Sequence, residues 1–241
     1  MKISIIIPTF NESAAIQKTL QSLIEQEGIS FQNIEILIAD GGSEDDTVEK
    51  IINFFDSIDN LAIRIFKSAK GRAVQLNCGA NFASGDIFLF LHADSQLSRN
   101  ALHELSLAAE NLKTSYGFFV MDFDEKNVFT EFYSKATELP SILTHYGDSG
   151  IFAKRDFFHK IGGFPEIPLM EDVEFLFRSR RICEPTLIQN AKVTTSARRF
   201  KKNGYLSQQL LNLTLTSLYI VGAKPDWLKS IYDGWFSDGK T

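Results

Sequence analysis

The sequence predicts an α/β protein: a Rossmann-like, mostly parallel central sheet with helices on both faces. Two observations carry this. Short β-branched runs alternate with stretches of helical spacing through the first half of the chain, and each run ends in polar or glycine residues. Ile3–Ile7 is the first such run, stopped by Pro8. Residues Ser13–Gln26 follow as a helix, with Ala14, Ala15, Ile16, Leu20, Leu23 and Ile24 at helical spacing and Ser13 as its cap. Ile34–Ala39 is the second strand, closed by Asp40-Gly41-Gly42. A helix over Thr47–Phe55, a third strand over Leu61–Phe66 and a helix over Arg72–Phe82 then deliver the chain to a fourth strand, Ile87–Leu91.

The second half is less regular. Tyr116–Phe123 reads as a strand, Phe129–Leu139 as a helix and Ser149–Ala153 as a strand. Gly162-Gly163-Phe164-Pro165 makes a turn before a helix over Met170–Arg181, and Val193–Thr195 ends a further strand. Tyr205–Val221 is helical, with Leu206, Leu210, Leu213 and Leu218 on one stripe. That stripe reads as a packing or homodimer face, with peripheral attachment to a membrane as the minority alternative. No internal repeat or flexible linker calls for a boundary, so residues 1–241 read as one domain.

Composition narrows the function classes. At 241 residues, 44% hydrophobic and 23% charged, the chain is an ordinary globular protein with one sizeable core. A net charge of −5 argues against a general nucleic-acid binder. Cys78 and Cys183 match neither a metal knuckle nor a disulfide framework, which predicts a reduced, cytoplasmic setting. The first apolar run is too short for a signal-peptide core, and no run approaches the ~20 residues of a transmembrane span.

Parallel sheets bind ligands beyond the carboxyl ends of their strands. Here those ends carry Thr9-Phe10-Asn11-Glu12, Asp40-Gly41-Gly42-Ser43 and His92-Ala93-Asp94, and three polar ends on one edge are hard to explain as packing. Asp40 can meet a base or ribose, or can simply cap the following turn; beside the other strand ends, the ligand reading is preferred. Asp94 is suited to Mg²⁺ or Mn²⁺ with diphosphate oxygens completing the shell, and His92 either joins the metal or hydrogen-bonds the ligand. Arg72, at a helix start, favours an anion. Arg198-Arg199 is a weaker anion signal, resting on its nearness to a strand end. Glu171-Asp172 opens a helix, where acids either complement the dipole or provide a general base.

Together these residues resemble the family 2 glycosyltransferases of the GT-A fold. The likeness runs from Ile5-Ile6-Ile7-Pro8-Thr9-Phe10-Asn11-Glu12 through Ala39-Asp40-Gly41-Gly42-Ser43 and Leu91-His92-Ala93-Asp94 to Gly162-Gly163-Phe164 and Glu171-Asp172. Gly71-Arg72-Ala73, Gln75 and Asn77, with His92-Ala93-Asp94 and Met170-Glu171-Asp172, further resemble a small bacterial subgroup associated with radical-SAM and selenium-related genes. The resemblance implies an inverting transferase that moves a sugar from a nucleotide-diphospho-sugar donor to an acceptor hydroxyl, with help from a divalent cation. It implies Pro8, Thr9, Asn11 and Glu12 in the nucleotide pocket, Asp40 on base or ribose, Asp94 on the metal and Asp172 of the Glu171-Asp172 pair as base. It also puts Asp148 in the acceptor region. Residues 1–95 would then be the nucleotide-binding half, 96–204 the acceptor and catalytic half, and 205–241 a helical tail. His92 departs from the family pattern, which usually has an aspartate there, and leaves metal preference open.

Two rivals lack their signatures. A nucleotidyltransferase would carry a glycine-rich basic loop after strand one, and a dinucleotide-dependent dehydrogenase would carry Gly-x-Gly-x-x-Gly there; Pro8-Thr9-Phe10-Asn11-Glu12 is neither. A nucleotide-sugar-binding protein without transfer activity is the non-enzyme alternative.

Overall fold

Apolar side chains project to both faces of the first strand, so that strand must be covered on both sides. The computed structural model, which describes residues 1–56, 58, 61–139 and 147–235, shows how. In β1 (Ile3–Thr9), Ile3, Ile5 and Ile7 join one buried cluster with Ile34, Ile36 and Ile38 of β2 (Ile34–Asp40). α1 (Ile16–Ile24) closes that face with Ile16, Leu20 and Leu23. Ile6 and Leu37 point the other way, beneath Ala73, Leu76 and Ala80 of α3 (Arg72–Phe82). α3 lies close because Gly79 has no side chain; a Cβ there would stand 2.4 Å from Ile6 Cγ2.

The remaining elements are α2 (Thr47–Phe55), β3 (Ala62–Lys67), β4 (Ile87–Phe90), β5 (Ser95–Leu97), α4 (Ala101–Glu110), β6 (Tyr116–Phe123), α5 (Val128–Ala136), β7 (Ile151–Lys154), α6 (Arg155–Lys160), α7 (Glu171–Arg180), β8 (Thr186–Thr195), α8 (Arg198–Asn203), α9 (Tyr205–Ile220) and α10 (Pro225–Trp235). The described strands form one sheet of order β3-β2-β1-β4-β7-β6-β8-β5. β3, β2, β1 and β4 are parallel, as the alternation predicts. β7 runs antiparallel to both β4 and β6, and β5 antiparallel to β8, so the second half makes the sheet mixed. Phe88, Phe90, Phe158, Phe164 and Phe175 pack its centre, with Phe164 and Phe175 stacked at 4.6 Å.

Three sequence expectations shift. The first helix begins at Ile16, with no side-chain cap at Ala15; the Ser13 backbone N–H is held instead by Asp45 Oδ2 at 3.2 Å. The strand expected at Ser149 begins at Ile151, after a 3₁₀ turn over Gly147–Ser149. Most of the leucine stripe of α9 faces outward: Leu206 is 79% exposed and Leu210 59%, and only Leu218 of that stripe packs on the cluster in which Leu211 and Leu215 are buried against Met170, Val173 and Leu228. Leucines occur on both sides of this helix, so spacing alone could not choose between two candidate stripes. Among the described residues, no helix is long and apolar enough to cross a membrane.

At the amino edge of the sheet, Glu35 in β2 is 4% exposed and fully engaged. Its carboxylate accepts from Ser4 Oγ (2.5 Å), Ser84 N (2.6 Å), Ser84 Oγ (2.9 Å) and Lys2 Nζ (3.0 Å), tying β1, β2 and the turn before β4 together. Burial alone would raise its pKa; the Ser4, Ser84 and Lys2 donors outweigh that and hold it at about 2, down from the ordinary 4.5. Because the folded value is depressed, this stability is complete above about pH 4.5 and is lost as pH falls towards 2. Glu35→Gln will therefore cost about 1.5–3 kcal/mol near neutral pH. Urea titrations from pH 2 to 7 should show the gap to the parent protein closing below pH 4.5, and a gap independent of pH would reject this account.

Candidate active site

The carboxyl ends of β1 and β4 open onto a cavity of about 370 Å³. Its floor and rim come from several elements at once: Pro8, Thr9 and Glu12 after β1, His92 and Asp94 after β4, Arg72 and Gln75 on the first turn of α3, Asp148 in the 3₁₀ turn, and Glu171 and Asp172 at the start of α7. Arg198 and Arg199 enter from α8, just past the end of β8.

The acids of α7 are placed by an unusual backbone. Met170, the residue before them, sits in the left-handed region at φ +71°, a strained conformation for a side chain of its size. Glu171 and Asp172 are 4% and 9% exposed. Arg72 answers them, with Nε 3.0 Å from Glu171 Oε1 and Nη1 4.0 Å from Asp172 Oδ2. Asp172 Oδ2 also accepts the Gly147 backbone N–H at 2.7 Å, and Oδ1 accepts Val173 N at 2.8 Å. Any larger residue at 147 would crowd the site: a Cβ would stand 2.9 Å from His92 Nε2 and 3.1 Å from Asp172 Oδ2, so one of those side chains would have to shift. That close approach brings His92 and Asp172 to one point.

Charges alternate across the site. Burial raises the Glu171 carboxyl, and Asp172 adds to the rise while Arg72 opposes it. Burial, with Asp172 and Asp94 nearby, pushes the Asp148 carboxyl up to about 6, and its Oδ1 is buried without a partner among the described residues. Arg198 Nη2 bridges Glu12 Oε1 (2.6 Å) and Asp94 Oδ2 (3.2 Å). Burial, then the cations Arg72, Arg199 and Arg198, hold the His92 pKa well below the usual histidine value. A neutral imidazole keeps a lone pair for a metal or for a donor group.

Asp94 and His92 therefore offer one carboxylate and one neutral imidazole on a single turn. Among the described residues no three metal-binding side chains converge. Mg²⁺ and Mn²⁺ often use one or two carboxylates together with substrate phosphates and water. The donor set fits a cation that arrives with a diphosphate, and does not fit a caged structural ion.

The structure thus gathers Pro8, Thr9, Glu12, Arg72, His92, Asp94, Asp148, Glu171, Asp172, Arg198 and Arg199 around one cavity. Asn11 and Asp40 lie outside its lining. Asn11 adopts φ +54° and its Oδ1 accepts Glu44 N at 2.9 Å. Asp40 accepts from Gly42 N, Ser43 N, Ser43 Oγ and Thr9 Oγ1, which fills its roughly four acceptor positions with turn and strand-end contacts. Sequence reasoning gave no site role to Gln75, whose Nε2 donates to both Thr9 O (2.7 Å) and Ala39 O (2.8 Å), pinning the ends of β1 and β2. It also missed the wall built by α9 and α10, where Gln208, Asn212, Thr216, Lys229 and Tyr232 line the cavity. The one available signal was that Gln208, Asn212 and Thr216 fall between the leucines of α9.

Asp148 gives this site a pH signature. Its folded pKa, about 6, lies above the ordinary value of 3.8, so ionising it costs stability as pH rises through that interval. Asp148→Asn removes the titration. The variant should melt higher than the parent at pH 8 and level with it at pH 4 or below; equal melting temperatures at pH 8 would show that the buried carboxyl carries no such cost.

Residues 4–165 match the family model described as glycosyl transferase family 2. A glycosyltransferase of uncharacterised function from Haemophilus influenzae is 24% identical over 237 residues, covering 91% of this chain and 93% of that protein. A GalNAc(5)-diNAcBac-PP-undecaprenol beta-1,3-glucosyltransferase from Campylobacter jejuni is 31% identical over 145 residues, covering 59% of this chain. That alignment spans only 46% of the Campylobacter protein. Among solved structures, a mannosyltransferase from Pyrobaculum calidifontis in complex with GDP-Man and Mn²⁺ superposes with a TM-score of 0.67 at 19% identity, covering 96% of this chain and 68% of that one. S. aureus TarS in complex with UDP superposes at 0.64 and 17% identity, over 90% of this chain and 66% of that one. These likenesses agree on the GT-A fold, and the family match covers most of the sequence: the chain belongs to glycosyl transferase family 2.

Proposed function

We propose that the protein moves a sugar from a nucleotide-diphospho-sugar to an acceptor hydroxyl, with inversion at the anomeric carbon. The observation that carries this is the convergence of Asp94 and the Glu171-Asp172 pair on one cavity at the strand ends. Pro8, Thr9 and Glu12 line the side of the donor nucleotide. Asp94, with His92 beside it, would hold a divalent cation, which supplies positive charge to the departing diphosphate. Arg198 and Arg199 add fixed positive charge at the same edge.

On the acid side, Arg72 and the Gly147 N–H orient Asp172 towards the cavity. Direct displacement then has balanced steps. The acceptor oxygen bonds the anomeric carbon as the carbon–phosphate oxygen bond breaks; the electron pair leaves with the diphosphate and the acceptor proton passes to Asp172. The relatives support the donor class. An E. coli relative, 32% identical over 110 residues, is named a UDP-Glc:alpha-D-GlcNAc-diphosphoundecaprenol beta-1,3-glucosyltransferase, and the Pyrobaculum neighbour holds GDP-Man with Mn²⁺. Asn11 and Asp40 support the strand-end turns on which the donor would lie.

Asp172→Asn should keep nucleotide affinity but lose roughly 10²–10⁴-fold in transfer rate. Turnover equal to the parent would remove Asp172 as base, and a parent protein that binds donor yet never turns over would favour a sugar-nucleotide-binding role instead. Asp94→Ala should weaken UDP or GDP binding in Mn²⁺ and leave binding in chelator unchanged; calorimetry showing equal affinity in both conditions would take the cation away from Asp94.

A further inference from the structure

We propose that Asn212 and Thr216 on α9 and Tyr232 on α10 form, with Asp148, a subsite that takes the hydroxyls of a sugar acceptor. The inference rests on the glycosyl-transfer reading and adds to it the chemical class of the acceptor and the residues that recognise it. All of the helical residues involved lie beyond residue 165, where the match to the family model ends.

Thr216 is fully buried, yet its Oγ1 has no hydrogen-bond partner among the described residues, and it lines the cavity. Helical threonines ordinarily satisfy the hydroxyl on the carbonyl one turn earlier. Asp148 Oδ1, on the same cavity, is also buried and unpartnered. Buried polar atoms without partners are rare, and among the described residues four line this one cavity, on Glu12, Asp148, Glu171 and Thr216; those of Thr216 and Asp148 are uncharged or protonatable oxygens that one hydroxyl-bearing ligand can satisfy together. Next to Thr216, a short relay sets up a further donor. Asn203 Nδ2 donates to Gln208 Oε1 at 2.7 Å, and Gln208 Nε2 donates to Asn212 Oδ1 at 2.8 Å. The Asn212 oxygen is thus used inside the protein, while its amide nitrogen has no acceptor among the described residues.

Charge selects the ligand class. Asp148, Glu171 and Asp172 all face the cavity, which disfavours an anion on this side. The cation of the tail wall, Lys229, is already neutralised by Asp233. What remains is a neutral set of amide, hydroxyl and phenol groups, the chemistry that binds a polyhydroxylated ring. Position agrees. The wall is fixed to the base-bearing helix, since Leu211, Leu215 and Leu228 pack on Met170 and Val173. Tyr232 lies within electrostatic reach of Arg72, beside the acid pair. The donor edge, where Arg198 joins Glu12 to Asp94, is built from other elements.

The test uses the full chain with two separate titrations. UDP and GDP are titrated in Mn²⁺, and p-nitrophenyl glycosides of glucose, N-acetylglucosamine, galactose and mannose are titrated by ligand-observed NMR in the presence of the bound nucleotide. The wild-type chain is expected to bind at least one glycoside. Thr216→Val, nearly isosteric, and Asn212→Leu should each weaken that glycoside about tenfold while nucleotide Kd stays within twofold; Tyr232→Phe provides a third variant, and melting curves confirm folding. The subsite is overturned if no glycoside binds, if the variants bind it as the parent does, or if nucleotide affinity falls in parallel, which would put these residues in the donor site. Failure of the broader reading looks different: neither UDP nor GDP would bind the wild-type chain.

Discussion

Glu171 and Asp172, neighbours in sequence, are both buried beside a third acid, Asp148, and such a cluster is costly unless a cation stands against it or its carboxyls hold protons. Arg72 is that cation. Its place at the start of α3 makes the helix the common support of the site. Three residues along, Gln75 holds the carbonyls that end β1 and β2. Two further on, Asn77 clasps Phe164 through both its N–H and its carbonyl, at 3.0 and 2.8 Å. One helix thus fixes the ends of β1 and β2, the acid pair and the glycine turn before α7.

The same alternation of charge continues across the cavity. Arg198 lies between Glu12 and Asp94, and the arginines around His92 favour its neutral form. The acids and cations come from elements far apart in sequence, so the overall charge of −5 says nothing about this local balance. A ligand bearing a diphosphate and a cation would enter an edge where charges are already paired, and binding would redistribute those pairs.

Stability and chemistry occupy opposite ends of the same strands. Glu35 locks the amino edge with donors from β1 and from the Ser84-Gly85 turn. The carboxyl edge keeps its strained Met170 and its unpartnered Asp148 oxygen. The fixed edge lets the other carry such costs without losing the register of the sheet.

By itself the sequence determined the parallel first half, the polar strand ends and most of the acids and arginines that meet there. Apolar periodicity and strand-end chemistry are local properties, and they are written in consecutive residues such as Ile87 to Asp94. Tertiary structure decided the rest. It engaged the Asp40 carboxylate and the Asn11 side-chain oxygen in turn contacts, because backbone N–H groups of the following turn lie within reach. It chose Leu211 and Leu215 over Leu206 and Leu210, because α7 and α10 supply the complementary surface on only one side. And it made Thr216 and Asn212 part of the cavity, since only a folded chain brings residues so distant in sequence against the first strand ends.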